Sequence, residues 1–137
     1  MSVVLVTGDR DFTNAKLIGK VLFNLAPSIL IEGGAKGADT LAGEWADARN
    51  IMRITIPANW KLYGRGAGPI RNKEMLSLLM DYHKQGSEVL VVGFHNHIEE
   101  SAGTSNMLLQ AETSGVNYTL VWEDSGDRDK VYHQSEF

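Results

Sequence analysis

A chain of 137 residues with 43% hydrophobic residues and a formal net charge of −4 suits one compact domain around one core. The complete lack of cysteine excludes a disulfide framework, a thiolate metal site and a cysteine nucleophile, and it fits a reducing cytoplasm. The acidic balance disfavours a mainly electrostatic grip on duplex nucleic acid, and the apolar run after Met1 is too short for a signal peptide or a membrane span.

In chain order, five short apolar or β-branched runs read as buried strands: Val3–Thr7, Ser28–Glu32, Met52–Ile56, Glu88–Gly93 and Asn117–Trp122. Four helical faces lie between them. They are carried by Leu17, Val21, Leu22 and Leu25; by Leu41, Trp45 and Ala48; by Met75, Leu76 and Leu79; and by Met107, Leu108 and Ala111. Strict alternation of strand and helix predicts an α/β, three-layer Rossmann-like fold whose five-stranded parallel sheet has the order 3-2-1-4-5. Residues 1–122 form the expected domain. Residues 123–137, without apolar periodicity, form a tail that is either disordered or a subunit contact.

Ligands of such sheets sit beyond the carboxyl ends of the strands, near the point where strand order reverses. The unusual residues of this chain concentrate in the loops at that end, whereas the opposite rim is ordinary turn chemistry. The first loop holds Gly8 and Arg10; Arg10, between Asp9 and Asp11, reaches a ligand or belongs to a solvated charge cluster. The second is the glycine-rich Gly33, Gly34, Ala35, Lys36, Gly37, followed by Asp39. Glycines after a strand and before a helix suit close approach of backbone to a phosphate. The spacing matches neither a Walker A motif nor Gly-x-Gly-x-x-Gly, which argues against nucleoside triphosphate hydrolysis. Asp39 either accepts from a ribose hydroxyl or caps a helix starting at Thr40.

The third loop carries Trp60 and Tyr63, which either stack on a base or anchor the loop. It continues into Gly68, Pro69, Arg71 and Asn72, where proline fits a first helical turn and Arg71 is expected in that same turn, beside free N–H groups. In the fourth loop, Gly103 and Thr104 open another helix. Two helix N-termini and Arg71 are expected to hold one phosphate. His95 and His97 form a His-x-His pair without carboxylates of matching geometry, so no metal is expected, and no cofactor.

The stretches "VTGDRDF", "IEGGAKGADTLAGEWA", "PANWKLYGRGAGPIRNKEML" and "AGTSNM" resemble the SLOG superfamily, specifically its small bacterial and phage branch of YspA- and YpsA-like proteins. The resemblance runs from Val3 to about Val121. It implies a nucleotide-like ligand, since relatives include the LOG phosphoribohydrolases, the DNA-processing protein DprA and ligand-sensing domains of antiphage systems. It also implies self-association, for which the helix faces with Trp45 and Met80 offer a surface. Arg71 matches the family arginine, and Gly103 and Thr104 match a Gly-Thr pair. Met107, however, stands where LOG enzymes have their catalytic glutamate.

The leading expectation is therefore a cytoplasmic binder of a nucleotide or nucleotide-derived signalling ligand, sequestering it or working with a partner chain. The alternative is a LOG-like N-glycosidase acting on nucleoside monophosphates, with Arg71 and a relocated carboxylate as catalytic groups; Glu99 and Glu100 are the first suspects, ahead of Glu74 and Asp39. A third reading, single-stranded DNA binding along Lys36, Lys61, Arg65, Arg71 and Lys73, is opposed by the net charge.

Overall fold

The structure is a computed structural model that describes residues 1–124 and 127–136. Its strands are β1 (Ser2–Gly8), β2 (Ile29–Glu32), β3 (Met52–Thr55), β4 (Glu88–Phe94), β5 (Tyr118–Asp124) and β6 (Asp127–Glu136). Its α-helices are α1 (Ala15–Leu25), α2 (Ala38–Ala48), α3 (Trp60–Tyr63), α4 (Ala67–Lys84) and α5 (Gly103–Thr113). The sheet order is β3-β2-β1-β4-β5-β6. The first five strands pair in parallel in the expected order 3-2-1-4-5.

Period-two alternation along β1 assigns the two layers. Val3 and Leu5 face Met75, Leu76 and Leu79 of α4 and Met107, Leu108 and Ala111 of α5. Val4 and Val6 face Leu17, Ile18 and Leu22 of α1 and Ala38, Ala42 and Ala46 of α2. Both faces are thereby covered, which is why the central strands are continuous apolar runs with no polar alternation. Gly8, at the carboxyl end of β1, permits close packing: a Cβ there would lie 2.5 Å from both the Ala38 side chain and the Phe94 carbonyl.

Beyond Trp122 the chain extends β5 by two residues, and β6 returns antiparallel along its outer edge. Sequence periodicity misses β6 because "DRDKVYHQSE" is mostly charged or polar, a composition suited to an edge strand that must not recruit further strands. Residues 125, 126 and 137 of the expected tail lie outside the described residues. Trp45, read as part of an oligomerisation face, is half-buried against Gly19 of α1 with the Arg49 guanidinium over its ring at 4.7 Å. Met80 packs against the α4–α5 side of the core. None of the helices among the described residues is long and apolar enough to cross a membrane.

Candidate functional site

A cleft of about 550 Å³ opens at the carboxyl ends of the central strands. The loop after β1 contributes Thr7 to Arg10, the loop after β2 contributes Gly33 to Lys36, and α2 contributes Asp39. Pro57, Ala58 and Trp60 follow β3; Gly68, Arg71 and Asn72 come from α4; His95 follows β4; and Ser101 to Thr104 lead into α5. The binding residues expected from sequence line this cleft except Gly37 and the exposed Tyr63. Glu99 and Glu100 are exposed on a short 3-10 turn and do not line it, nor does the exposed Glu74. The carboxylates that do are Asp9 and Asp39.

The glycine loop is arranged differently from a simple phosphate cradle. Gly37 adopts φ +76°, a conformation that favours glycine, and it packs so tightly on the Asp9 and Arg10 carbonyls that any Cβ would overlap them. The Ala38 N–H donates to the Asp9 carbonyl at 3.2 Å, tying the first and second loops together. The helix begins at Ala38, not Thr40, with Gly37 as its N-cap. Asp39 therefore does not cap it. Its Oδ2 turns back and accepts from the N–H groups of Gly33 at 3.1 Å and Ala35 at 3.3 Å. The Gly34 N–H donates to Glu32 Oε1. Three of the loop's amides are thus held by the protein's own carboxylates.

Asp39 is 5% exposed. Burial pushes its pKa up to about 7; the Ala35 N–H and the Arg71 charge act against that rise, and the Glu32 charge adds to it. Glu32, fully buried, does not stand out in the sequence because it closes an apolar strand with no motif of its own. It accepts from Arg53 Nε at 3.0 Å and from the Thr55 hydroxyl. Arg53 also donates to Asp47 at 2.7 Å. Gly43 makes room for this guanidinium, since a Cβ there would overlap it.

Arg71 lies past the first turn of α4, because the helix starts at Ala67 and is preceded by a 3-10 turn over Gly64–Gly66. Its side chain still reaches the glycine loop, with Nη1 donating to the Gly33 carbonyl at 2.8 Å. Asn72, almost fully buried, accepts from Arg71 Nε at 3.1 Å and donates to the Gly103 carbonyl at 3.2 Å and to Asn106 at 3.1 Å. It joins Arg71 to the start of α5. There Ser101 Oγ accepts from the Thr104 and Ser105 N–H groups at 3.0 and 3.3 Å, so part of that helix terminus is already occupied. Trp60 stands 61% exposed at the mouth of the cleft.

In the sequence His95 stands out only as half of a His-x-His pair. In the structure its Nδ1 accepts from the His97 N–H at 3.0 Å, leaving Nε2 directed toward Asp9 Oδ2 at 3.9 Å, while His97 is exposed and does not line the cleft. Among the described residues no group of three or more His, Cys, Asp or Glu side chains is placed to hold a metal ion. Arg10 and Lys36 at the rim and Arg71 deeper in the cleft make no ion pair with a described residue. Met107 is fully buried within the α4–α5 core and presents nothing to the cleft.

A family model described as the YspA, cpYpsA-related SLOG family matches residues 2–63, which span β1 through α3 and include the whole glycine loop. The Gene 61 protein of Mycobacterium phage D29 is 27% identical to this chain over 126 residues, covering 85% of this chain and 93% of the phage protein.

Proposed function

We propose that this chain, which belongs to the YspA-like branch of the SLOG superfamily, binds a nucleotide or nucleotide-derived ligand in the cleft at the carboxyl ends of β1, β2 and β4. The observation that carries this reading is the convergence of Arg10, Lys36 and Arg71, none engaged in an ion pair with a described residue, on one cavity of ligand size. Trp60 at the mouth offers an aromatic face to a base. The phosphate is assigned to Arg71 and the rim cations, with the Gly103 backbone at the start of α5, because the Gly33 and Ala35 amides are taken by Asp39. The apolar burial of Met107, at the position of the LOG glutamate, supports binding without cleavage, with sequestration in the cytoplasm or presentation to a partner chain as its proposed outcome. Purified protein incubated with nucleoside monophosphates, cyclic nucleotides and ADP-ribose derivatives should retain one of them intact, releasing it on denaturation. Accumulation of free base and sugar phosphate beyond one equivalent would overturn this reading.

A hydrolytic second reading is favoured by one observation: Asp39, a buried carboxyl with a raised pKa, lines the cleft near Arg71. Under it, Asp39 in place of Glu99 or Glu100 would serve the N-glycosidic bond, and Asp39→Asn would abolish turnover while preserving the fold. Residues 1–122 are proposed to carry the binding function. Self-association as a homodimer or higher homo-oligomer belongs to the same proposal and is checked by light scattering with and without ligand.

A further inference from the structure

The charges facing the cleft can be balanced group by group. Three cations, Arg10, Lys36 and Arg71, face two carboxylates, Asp9 and Asp39, while Glu32 behind the loop is matched by Arg53. One positive charge is left over when both cleft carboxylates are ionised, and two when Asp39 carries a proton. Asp39 also reaches into the glycine loop, where its Oδ2 fills the position between the Gly33 and Ala35 amides that an anion would otherwise take.

Resting on the nucleotide-binding reading, we propose that Asp39 is a specificity-determining residue that makes the cleft select a singly charged phosphodiester over a doubly charged phosphomonoester. A diester needs one compensating charge and leaves the Asp39 carboxylate on its two amides. A monoester dianion needs a second, which the cleft supplies when Asp39 takes up a proton. Coulomb repulsion between a buried carboxylate and an approaching dianion is only weakly screened, so the penalty falls on the monoester. The groups facing Asp39 are Arg71 from α4, Glu32 from β2, Asp9 and Arg10 from the loop after β1, and Lys36 of its own loop, with His95 across the cleft. The raised pKa of Asp39, about 7, places this choice in the neutral range.

Adenosine 5′-monophosphate and adenosine 3′,5′-cyclic monophosphate share base and sugar and differ by one charge, so they are the probes. Calorimetric affinities of both, for wild type and Asp39→Asn at pH about 7.5 and about 9, both well above the second phosphate pKa of about 6 so that the monoester is a dianion throughout, give the preference ratio. The wild-type preference for the diester should rise at least about tenfold between the two pH values, because the protonated fraction of Asp39 falls by that much or more. In Asp39→Asn the rise should vanish and monoester affinity at the higher pH should increase. The same pH dependence in both proteins, or a monoester preference at the higher pH, overturns the inference while leaving nucleotide binding intact. Should the variant fold poorly, wild type decides alone: at pH about 7.5, where the free monoester is already a dianion, monoester binding takes up a proton, measured in two buffers of different ionisation enthalpy, and diester binding does not. Absence of binding by both probes at both pH values overturns the nucleotide reading for these ligands and this inference with it.

Discussion

Arg71 Nη1 donates to the carbonyl oxygen of Gly33 at 2.8 Å, joining α4 to the glycine loop across 38 positions of sequence. The guanidinium is half-buried and keeps donors free toward the cleft, so it both fixes the loop and faces the open cleft. Arg71→Ala should therefore lower affinity for a phosphate-bearing nucleotide by at least about tenfold, the scale of a charge-assisted hydrogen bond. Stability should fall by about 1–3 kcal/mol in urea denaturation, because two neutral acceptors, the Gly33 carbonyl and Asn72 Oδ1, lose their donor. A loss of stability with affinity unchanged would mean that Arg71 is only a tether.

Asp39 links stability to pH. Its pKa is raised in the folded chain from 3.8 to about 7, so between those values the native state binds more protons than the unfolded state. Stability contributed by the protonated form is complete below about pH 4, declines as pH rises through the folded pKa, and is level above it. The decline is up to about 4 kcal/mol, at roughly 1.4 kcal/mol for each pKa unit. Urea midpoints at pH about 5 and about 8 should show this slope in wild type and a flatter one in Asp39→Asn, with the variant the more stable protein at the higher pH.

Much of the fold is legible in the sequence because both faces of its central strands are buried. Runs such as "VVLVT" and "EVLVVG" need no partner to be recognised, and the glycines and prolines between elements mark the changeovers. β6 is illegible by the same logic: an edge strand buries little and its charges look like a tail. The loops that build the cleft were identifiable from their position after each strand. The chemistry inside it was not, because it depends on side chains reaching back across turns. Asp39 meets Gly33 and Ala35 only because Gly37, at φ +76°, redirects the chain between them. Asn72 meets Gly103 only because α4 and α5 lie side by side.

Gly37 provides a direct check of that geometry. Its positive φ strains any side chain, and a Cβ would overlap backbone carbonyls that have no rotamer by which to move. Gly37→Ala should cost more than about 2 kcal/mol in chemical denaturation, above the usual penalty for alanine at positive φ alone. Gly64→Ala, also at positive φ but with open space around its Cβ, should cost distinctly less.

The ion pair behind the loop is the part whose loss should be felt most. Arg53→Ala leaves the Glu32 carboxylate buried with only the Thr55 hydroxyl and the Gly34 amide, and removing one partner of a buried pair costs about 3 kcal/mol or more. Because Gly34 hangs from Glu32, loss of nucleotide affinity should accompany the loss of stability, as read by denaturation and calorimetry on the same preparation.

Trp60 should behave in the opposite way. At 61% exposure it contributes little to the folded state, so Trp60→Ala should leave the denaturation midpoint within about 0.5 kcal/mol of wild type. Affinity for a base-containing nucleotide should fall several-fold, whereas affinity for ribose 5-phosphate should not change. An equal effect on both ligands would move the base elsewhere in the cleft.

The burial of Met107 also constrains how this protein could change its trade. A glutamate at that position would carry a charge into a cluster that includes Leu79, Leu108 and Ala111, so a single substitution would unsettle the domain before it created a catalyst. On the binding reading, a first step from binder toward hydrolase within this interior does not start at that site. It starts along the cleft wall, where Asp9, Asp39 and His95 already line the open space and new chemistry can be tried without repacking the interior.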